Sequence, residues 1–405
     1  MIKEKIIEKF LSQINQNQDK IIGIQLPSGK IISSSKPDYL IKFKTETALN
    51  NVLKDIEMGF GEGYMNGDIE IEGDLEEILK RGFYLANQME KNKATTLIKN
   101  IFRWSVSRDK ENIQYHYDIG DDFYKLFLDD SMTYSCAFFE SPDMSLEDAQ
   151  KLKRKIIYDK LQLNENDTLL DIGCGWGSII LESAERYGLK AVGITLSENQ
   201  YKHVKEEIKN RNLEDRVEVY LMHYTQLPDL NKKFTKVVSV GMFEHVGREH
   251  YRDFFDKVYQ VLDKGGLFLL HTIGKMHTDT QSRWIRKYIF PGGYLPSISE
   301  IMDSLCSFQF KYFLVDFDNW RMHYYYTLKK WRENFWKNID KIREMFDEKF
   351  IRMWDLYLIA SAVSFWVGSN YVFQILLSKG VVNDYPVIER KFIPLAQEKF
   401  DLQHN

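Results

Sequence analysis

The sequence predicts an α/β protein, a doubly wound parallel sheet preceded by a small N-terminal domain. Three observations carry that reading. From Thr168 onward, short apolar runs alternate with helical patterns, as in a sheet whose parallel strands are joined by helices. The segment "DIGCGWG" at 171–177 closes the first of these strands and opens the first helix. The first 88 residues carry hairpin and helix signals of their own. With 44% apolar and 28% charged residues in 405, the chain can bury a large core and is not a disordered one.

The elements follow in order. "MIKEKIIEKFL" interleaves charge with isoleucine and reads as an amphipathic helix rather than a signal peptide. "KIIGIQLPSGKIISS" gives two short strands around a Pro-Ser-Gly turn. "GFGEGYMNGD" at 59–68 is dense in glycine, which suits tight turns or close backbone approach. "DLEEILKRGFYLANQME" reads as a helix. The expected organisation is a small N-terminal domain at 1–88 for dimer or lipid contact and a basic amphipathic linker at 89–112. A catalytic domain with a C-terminal helical cover would then fill 113–392, leaving a tail at 393–405.

Between Lys91 and Lys110 there are six basic residues and one acid, with Leu97, Ile98, Ile101 and Phe102 at helical spacing. Such a helix can touch an anionic membrane surface. A linker helix packed on its own protein is the commoner use of the pattern.

In the second half, "TLLDIG", "KAVGIT", "RVEVYLM", "KVVSVGM" and "GLFLLHTI" are the expected strands. Helices run through "SIILESAERYG", from Ser197, and around 248–262. "FQFKYFLVDFD" adds a strand after an insertion at 274–307, and the chain from Tyr324 to about 380 reads as mainly helical.

Composition narrows the function. A net charge of −4 gives no nucleic-acid signal. Cys136, Cys174 and Cys306 lie far apart with no CxxC pair, which fits neither a disulfide framework nor a metal site. The longest uncharged apolar run, 356–368, is too short to span a bilayer, so a cytoplasmic protein is expected. Aromatic residues reach 14%, which suits a large apolar ligand surface as well as a core.

The glycine turn points to a cofactor. Gly173 and Gly175 allow backbone N–H groups to approach a ligand beside a helix start. Their spacing is GxGxG rather than GxGxxG, and "GITLSENQ" has no acid at the strand tip to hold a ribose. Both details favour S-adenosylmethionine, which has no pyrophosphate, over NAD. The fold class is then that of a class I S-adenosylmethionine-dependent methyltransferase, with a Rossmann-like sheet. Ser197 and Gln200 fit a capping box, but Gln200 is preferred as a cofactor contact because helix starts line the crevice.

Six segments narrow this further. "YHYDIGDDFYKLFLDDSMTYSCAFF", "LLDIGCGWG", "GITLSENQ", "VSVGMFEHVG", "LLHTIG" and "KYIFPGGYLPS" occur in that order. Their order and spacing resemble the cyclopropane-fatty-acyl-phospholipid synthases, and "GFGEGYMNGD" resembles the N-terminal part of the two-domain members. The resemblance covers residues 55 to 380 approximately. It implies transfer of a methyl group from S-adenosylmethionine to a cis alkene of an acyl chain in a phospholipid. Loss of a proton to a bound bicarbonate ion then closes a cyclopropane ring.

By resemblance, Cys136, Glu244, His271, Ile273 and Tyr324 surround the bicarbonate. Tyr134, Ser135, Asp171, Gly173, Cys174, Gly175, Thr195, Leu196, Gln200 and Tyr224 contact the cofactor. Cys136 has no Lys, Arg or His adjacent in sequence to activate it and is read as a pocket wall, not a nucleophile. The stripe Tyr324, Leu328, Trp331, Phe335, Ile339 fits a core face and an acyl-channel wall equally. His223 stands where many relatives carry an acid near the adenine, and Ser361 where some carry cysteine. The resemblance also implies a homodimer and a peripheral place on the inner face of the membrane. The alternative is a related fatty-acyl methyltransferase that gives a methylene or methyl-branched product.

Overall fold

The structure, a computed structural model, describes residues 2–91, 120–279, 282–306 and 312–385. The basic segment after Lys91, the 393–405 tail and the start of the "YHYDIG" motif lie outside the described residues. The chain forms two compact units, each discontinuous in sequence. One comprises Met1–Phe127, Thr280–Gly293 and Leu328–Asn370, and the other Leu128–Asp279, Tyr294–Thr327 and Tyr371–Asn405.

The first unit holds a four-stranded sheet in the order β2-β1-β3-β4, formed by β1 (Ile22–Gln25), β2 (Ile31–Ile32), β3 (Tyr39–Phe43) and β4 (Ile69–Glu72). The expected hairpin is there: β1 and β2 pair antiparallel through Ile24 and Ile32. The expected amphipathic helix runs over Ile2–Ile14 and buries Ile7, Leu11 and Ile14. They share a core with Ile22, Ile24 and Ile41, positions that alternate along the strands as one buried face requires.

The glycine-dense stretch resolves as both: Gly67, with φ +77, makes the turn that ends the helix, and the earlier glycines serve close approach. Gly59, Gly61 and Gly63 are buried inside the helix Ile56–Met65. A Cβ at Gly61 would fall 2.3 Å from Cδ1 of Trp284, and one at Gly59 would fall 2.4 Å from the Asn51 carbonyl carbon. Glycine costs a helix about 1 kcal/mol relative to alanine; here it admits a neighbouring backbone at Gly59 and the Trp284 ring at Gly61.

The later helices of this unit join the N-terminal elements around one carboxylate. Asp355, in the helix Glu348–Trp366, is buried. It accepts from Arg332 Nε at 2.6 Å, Trp336 Nε1 at 2.6 Å and Tyr64 OH at 3.2 Å. Leu328, Trp331 and Phe335 of the predicted stripe are buried too. Trp331 packs edge-on against Phe127, and Phe335 against Phe123, which gives these positions a core role.

The second unit holds a seven-stranded sheet in the order β10-β11-β9-β8-β5-β6-β7. Its strands are β5 (Thr168–Ile172), β6 (Lys190–Thr195), β7 (Val217–Leu221), β8 (Phe234–Val240), β9 (Leu262–Gly274), β10 (Tyr312–Asn319) and β11 (Tyr371–Lys379). The pairs among β5 to β9 are parallel, as expected. Alternate residues serve different faces: Leu170 and Ile172 join one core cluster, and Leu169 the other. Strand order reverses at β5 and β8, and ligands of such sheets bind beyond the strand ends at that reversal.

One expectation is corrected. The chain after Tyr324 is helical to Trp366, but Tyr371–Lys379 is strand β11, paired antiparallel between β9 and β10. Every residue from Val372 to Ser378 is buried, so "YVFQILLSK" shows no alternation of apolar and polar positions. A short apolar run of that kind does not distinguish strand from buried helix.

Replacing the shared acceptor tests the first unit. Asp355→Ala leaves Arg332, Trp336 and Tyr64 without it, and should lower the unfolding free energy by about 3 kcal/mol in urea titration. A loss near zero would show that the carboxylate does not hold these helices together.

Candidate active site

The turn after β5 is packed against the turn after β8. Gly173 has φ +86, in the left-handed region, and a Cβ there would lie 2.6 Å from Met242 Cβ. Glycine is required on both counts. Gly173 and Cys174 donate their N–H groups to Ile194 O, each at 3.0 Å, which ties the turn to β6. Gly175 also has positive φ, +56. The Cys174 thiol is buried over Gly193 and its pKa is raised by desolvation, so it is packing material there. Asp171, one residue before the end of β5, is buried with Oδ1 lacking a partner. Desolvation pushes its pKa up to about 7, against the opposing pull of the Lys153 charge.

At the end of β6, Thr195 Oγ1 donates to Gln200 Oε1 at 2.7 Å and accepts from Ser197 N at 3.1 Å. Ser197 caps the helix Glu198–Asn210 by accepting from Gln200 N at 3.3 Å. Only half of the expected capping box forms, because the Gln200 side chain turns to Thr195 instead. Leu196 between them is 68% exposed. Tyr224 is buried in contact with Phe254 at 5.3 Å between ring centroids. His223 has a local use: its Nδ1 lies 2.8 Å from Thr225 Oγ1 and its N–H donates to Gln226 Oε1 at 3.1 Å, capping the next turn.

Glu244 sits in the short 3-10 turn Phe243–His245 after β8. Its Oε1 accepts the Ile273 N–H at 2.6 Å, and its Oε2 is buried without a partner. Burial pushes its pKa up to about 7, the Ile273 bond opposing. His271 and Ile273, two apart on β9, face the same side of the sheet. His271 is buried, with Nδ1 3.4 Å from Gln374 Nε2 and with Nε2 unpartnered. Burial, aided by the Lys153 and Lys160 charges, holds its pKa well below the usual imidazole value.

Trp320 connects these groups to the rest. Its ring meets the His271 ring edge-on at 5.2 Å, and its carbonyl lies 3.9 Å from Cys136 Sγ. Tyr324, buried one helical turn on, donates its N–H to Trp320 O at 3.3 Å. Desolvation drives the Cys136 thiol far up, so it stays protonated and is no nucleophile. Tyr134 is half-buried. Ser135 packs beside Gly241, whose N–H bonds to His271 O at 2.9 Å.

Sequence reasoning missed Lys153. It is 1% exposed and donates to Ser135 Oγ at 2.9 Å. Burial and the neighbouring Arg154 charge lower its pKa to about 7. Gln150, one turn earlier, donates to Ser135 O at 2.9 Å. Lys153 is one lysine of several in its helix; the available signal was its spacing of four from Ala149 and Ile157, both fully buried. Gln374 was missed along with the strand that carries it.

The predicted residues thus fall into two groups. Asp171, Gly173, Cys174, Gly175, Thr195 and Gln200 line the ends of β5 and β6. Glu244 and Ile273 are bonded directly, and Cys136, His271 and Tyr324 meet around Trp320. A doubly wound sheet with a glycine turn at its strand-order reversal and an antiparallel pair at one edge defines the class I S-adenosylmethionine-dependent methyltransferase fold.

Comparison with known proteins narrows the class. The model of the mycolic acid cyclopropane synthetase family matches residues 104–375, and that of a domain of unknown function matches residues 12–94. The chain belongs to the mycolic acid cyclopropane synthetase family, as the six motifs indicated. The cyclopropane-fatty-acyl-phospholipid synthase of Escherichia coli K12 is 36% identical over 370 residues, 88% of this chain and 92% of that protein. A Pseudomonas putida protein named "Probable fatty acid methyltransferase" is 37% identical over 325 residues, 79% of this chain and 82% of its own. Among solved structures, mycolic acid cyclopropane synthase CmaA1 complexed with SAH and CTAB superposes with a TM-score of 0.61 at 34% identity. It covers 66% of this chain and 97% of that one.

The raised pKa of Glu244 has a thermodynamic consequence. The native state keeps a proton that the unfolded carboxyl has lost, so stability falls as pH rises from about 4.5 to about 7 and is level above. Glu244→Gln lacks this dependence. In bicarbonate-free buffer, the variant should gain about 3 kcal/mol on the parent between those limits, by urea unfolding at each pH. A pH-independent difference would show that the carboxyl ionises in its ordinary range.

Proposed function

We propose that the protein transfers a methylene unit from S-adenosylmethionine across the cis double bond of an unsaturated acyl chain in a membrane phospholipid. The products are a cyclopropane acyl chain and S-adenosylhomocysteine, and a bound bicarbonate ion serves as the base. The observation that carries the proposal is the pair of buried, unpartnered polar atoms, Glu244 Oε2 and His271 Nε2, in the cluster around Ile273 and Trp320. Buried polar groups in native proteins are nearly always hydrogen-bonded, so these two call for a small polar partner. The relatives named above support the lipid substrate.

The residues present fit the cofactor. The unpartnered Asp171 Oδ1, the left-handed Gly173 and Gly175 and the Thr195–Gln200 pair lie at the two strand ends where it would bind. S-adenosylmethionine, when bound, supplies an electrophilic methyl group on a sulfonium. Asp171, Thr195 and Gln200 would hold its polar parts, with Leu196 and Tyr224 as apolar neighbours. The Lys153 and Gln150 bonds to Ser135 fix the wall that carries Ser135 and Cys136.

The second group fits a small oxyanion. Near neutral pH Glu244 is poised to keep a proton, and a protonated carboxyl donates a hydrogen bond to an anion that a carboxylate would repel. His271 is neutral, leaving one ring N–H to donate. Bicarbonate fits this donor set and would supply a general base. Buried walls such as Trp320 exclude water, as an uncharged alkene acceptor requires.

The second reading, a fatty-acyl methyltransferase giving a methylene or methyl-branched chain, is favoured by the name of the Pseudomonas putida relative. Incubation with S-adenosylmethionine and liposomes of a cis-monounsaturated phospholipid separates the two. Gain of one CH2 with upfield ring protons is expected. The same gain with vinyl protons would establish the second reading, and no gain on any lipid would overturn both. Glu244→Gln and His271→Ala should each lower kcat on the order of 10²-fold with S-adenosylmethionine affinity nearly unchanged; an undiminished rate would remove these residues from the reaction.

Work at the membrane surface, as a homodimer, belongs to the same proposal. No described helix is long and apolar enough to cross a membrane. The basic segment is the candidate contact, so Lys99→Glu with Arg103→Glu should weaken co-sedimentation with anionic liposomes. Equal sedimentation would assign the segment to a linker.

A further inference from the structure

We propose that Gln374 is a positioning residue that sets the tautomer of His271, keeping the ring proton on Nε2. The inference rests on the proposed function only for the identity of the anion that this N–H meets. Its basis is the pairing of β9 with β11. His271 and Gln374 are direct cross-strand partners, so their side chains leave the sheet on the same face and are neighbours.

Gln374 is completely buried in a strand whose neighbouring residues are Phe373, Ile375, Leu376 and Leu377. A carboxamide there is unfavourable unless it makes hydrogen bonds. Its Nε2 lies 3.4 Å from His271 Nδ1, a long bond but the contact that this amide nitrogen makes, while its Oε1 is buried without a partner. In this amide orientation the nitrogen donates and does not accept, so Nδ1 presents its lone pair. A neutral imidazole has one N–H, which leaves it on Nε2.

His271 is held neutral by burial, with the Lys153 and Lys160 charges acting in the same direction. The side chains that meet it from other elements are uncharged: Trp320 packs edge-on, and Gln374 lies opposite. Nε2 itself has no partner in the protein, so its N–H is directed at a ligand. The reversed amide would offer Oε1 to an Nδ1–H and leave Nε2 as a bare acceptor, which would repel an anion. The orientation of one carboxamide therefore decides whether the anion site gains a donor or a second lone pair.

The test reads the tautomer directly. The full chain is labelled with 15N in its histidine rings and studied by long-range 1H–15N correlation, with His271 assigned by the signals lost in His271→Gln. In the parent, the Nε2 resonance should be that of a protonated nitrogen and Nδ1 that of a bare one. Gln374→Leu removes the donor and should give averaged shifts on both nitrogens, with kcat lowered about 10-fold and KM for S-adenosylmethionine unchanged. Gln374→Glu, equal in size, should carry the proton on Nδ1 where the new carboxylate is ionised. Its activity should rise toward low pH, where a carboxyl O–H can replace the amide donor. A parent with its proton on Nδ1, or a Leu variant that keeps it on Nε2, would overturn the inference. If the parent tautomer is as stated but no lipid is modified, the proposed reaction fails while the role of Gln374 stands. A cyclopropane product with the proton on Nδ1 would do the reverse, upholding the reaction and removing Gln374 from it.

Discussion

One buried hydrogen bond, from the Ile273 N–H to Glu244 Oε1, governs the geometry of the site. It joins the turn after β8 to the end of β9, next to the strand-order reversal where such sheets bind ligands. It commits one carboxyl oxygen to the backbone and leaves the other unpartnered in a dry environment. A backbone donor is fixed by the sheet and cannot rotate away, so the free oxygen is aimed by the fold itself. The same strand carries His271 two residues earlier, and the parallel pairing of Val240 with His271 sets the register between the two elements. Displacing either strand would separate the carboxyl from the imidazole.

The electrostatics follow from burial more than from pairing. Lys153, Asp171 and Glu244 are all shifted to about 7, each chiefly by desolvation, while His271 is kept neutral. A low-dielectric site penalises every net charge, and burial brings these three groups to the point near pH 7 where charged and neutral forms balance. Lys153 reinforces the arrangement by bonding to the uncharged Ser135 hydroxyl, with the Asp171 charge nearby partly offsetting its own.

The legible part of the fold was the part with local signals. Strands β5 to β9 and their helices are announced by apolar runs punctuated by glycine and caps, and each formed where its pattern placed it. The glycines at 59, 61 and 63 gave two readings, and what packs on them decides: the Asn51 backbone at Gly59, Ile69 at Gly63 and, at Gly61, Trp284, more than two hundred residues away. Strand β11 was illegible because it is buried on both faces and so loses the period-2 alternation that marks a half-exposed strand. At the site, the residues in short motifs at strand ends were named from sequence through resemblance, and the structure bonds Glu244 to Ile273 and sets Trp320 against both His271 and Cys136. Lys153 and Gln374 could not be named, because a lysine in a lysine-rich helix and a glutamine in an apolar run acquire meaning only from what packs against them.

The placement of β11 explains why a histidine on a parallel strand can be controlled so closely. In a sheet that ended at β9, His271 would stand on an edge, open to water on one side, with its tautomer set by solvent. Insertion of an antiparallel strand from the far end of the chain covers that edge and puts a side chain of fixed register opposite each β9 residue. Nδ1 then faces β11, and Nε2 is left for whatever the pocket binds. The two nitrogens of one ring are served by different elements, one structural and one belonging to the site. Antiparallel pairing is suited to this, because directly opposed residues lie about 4.5–5.5 Å apart at Cβ, within reach of a single carboxamide. The inner strand that sequence periodicity conceals is thus the element that gives the imidazole a defined chemical sense.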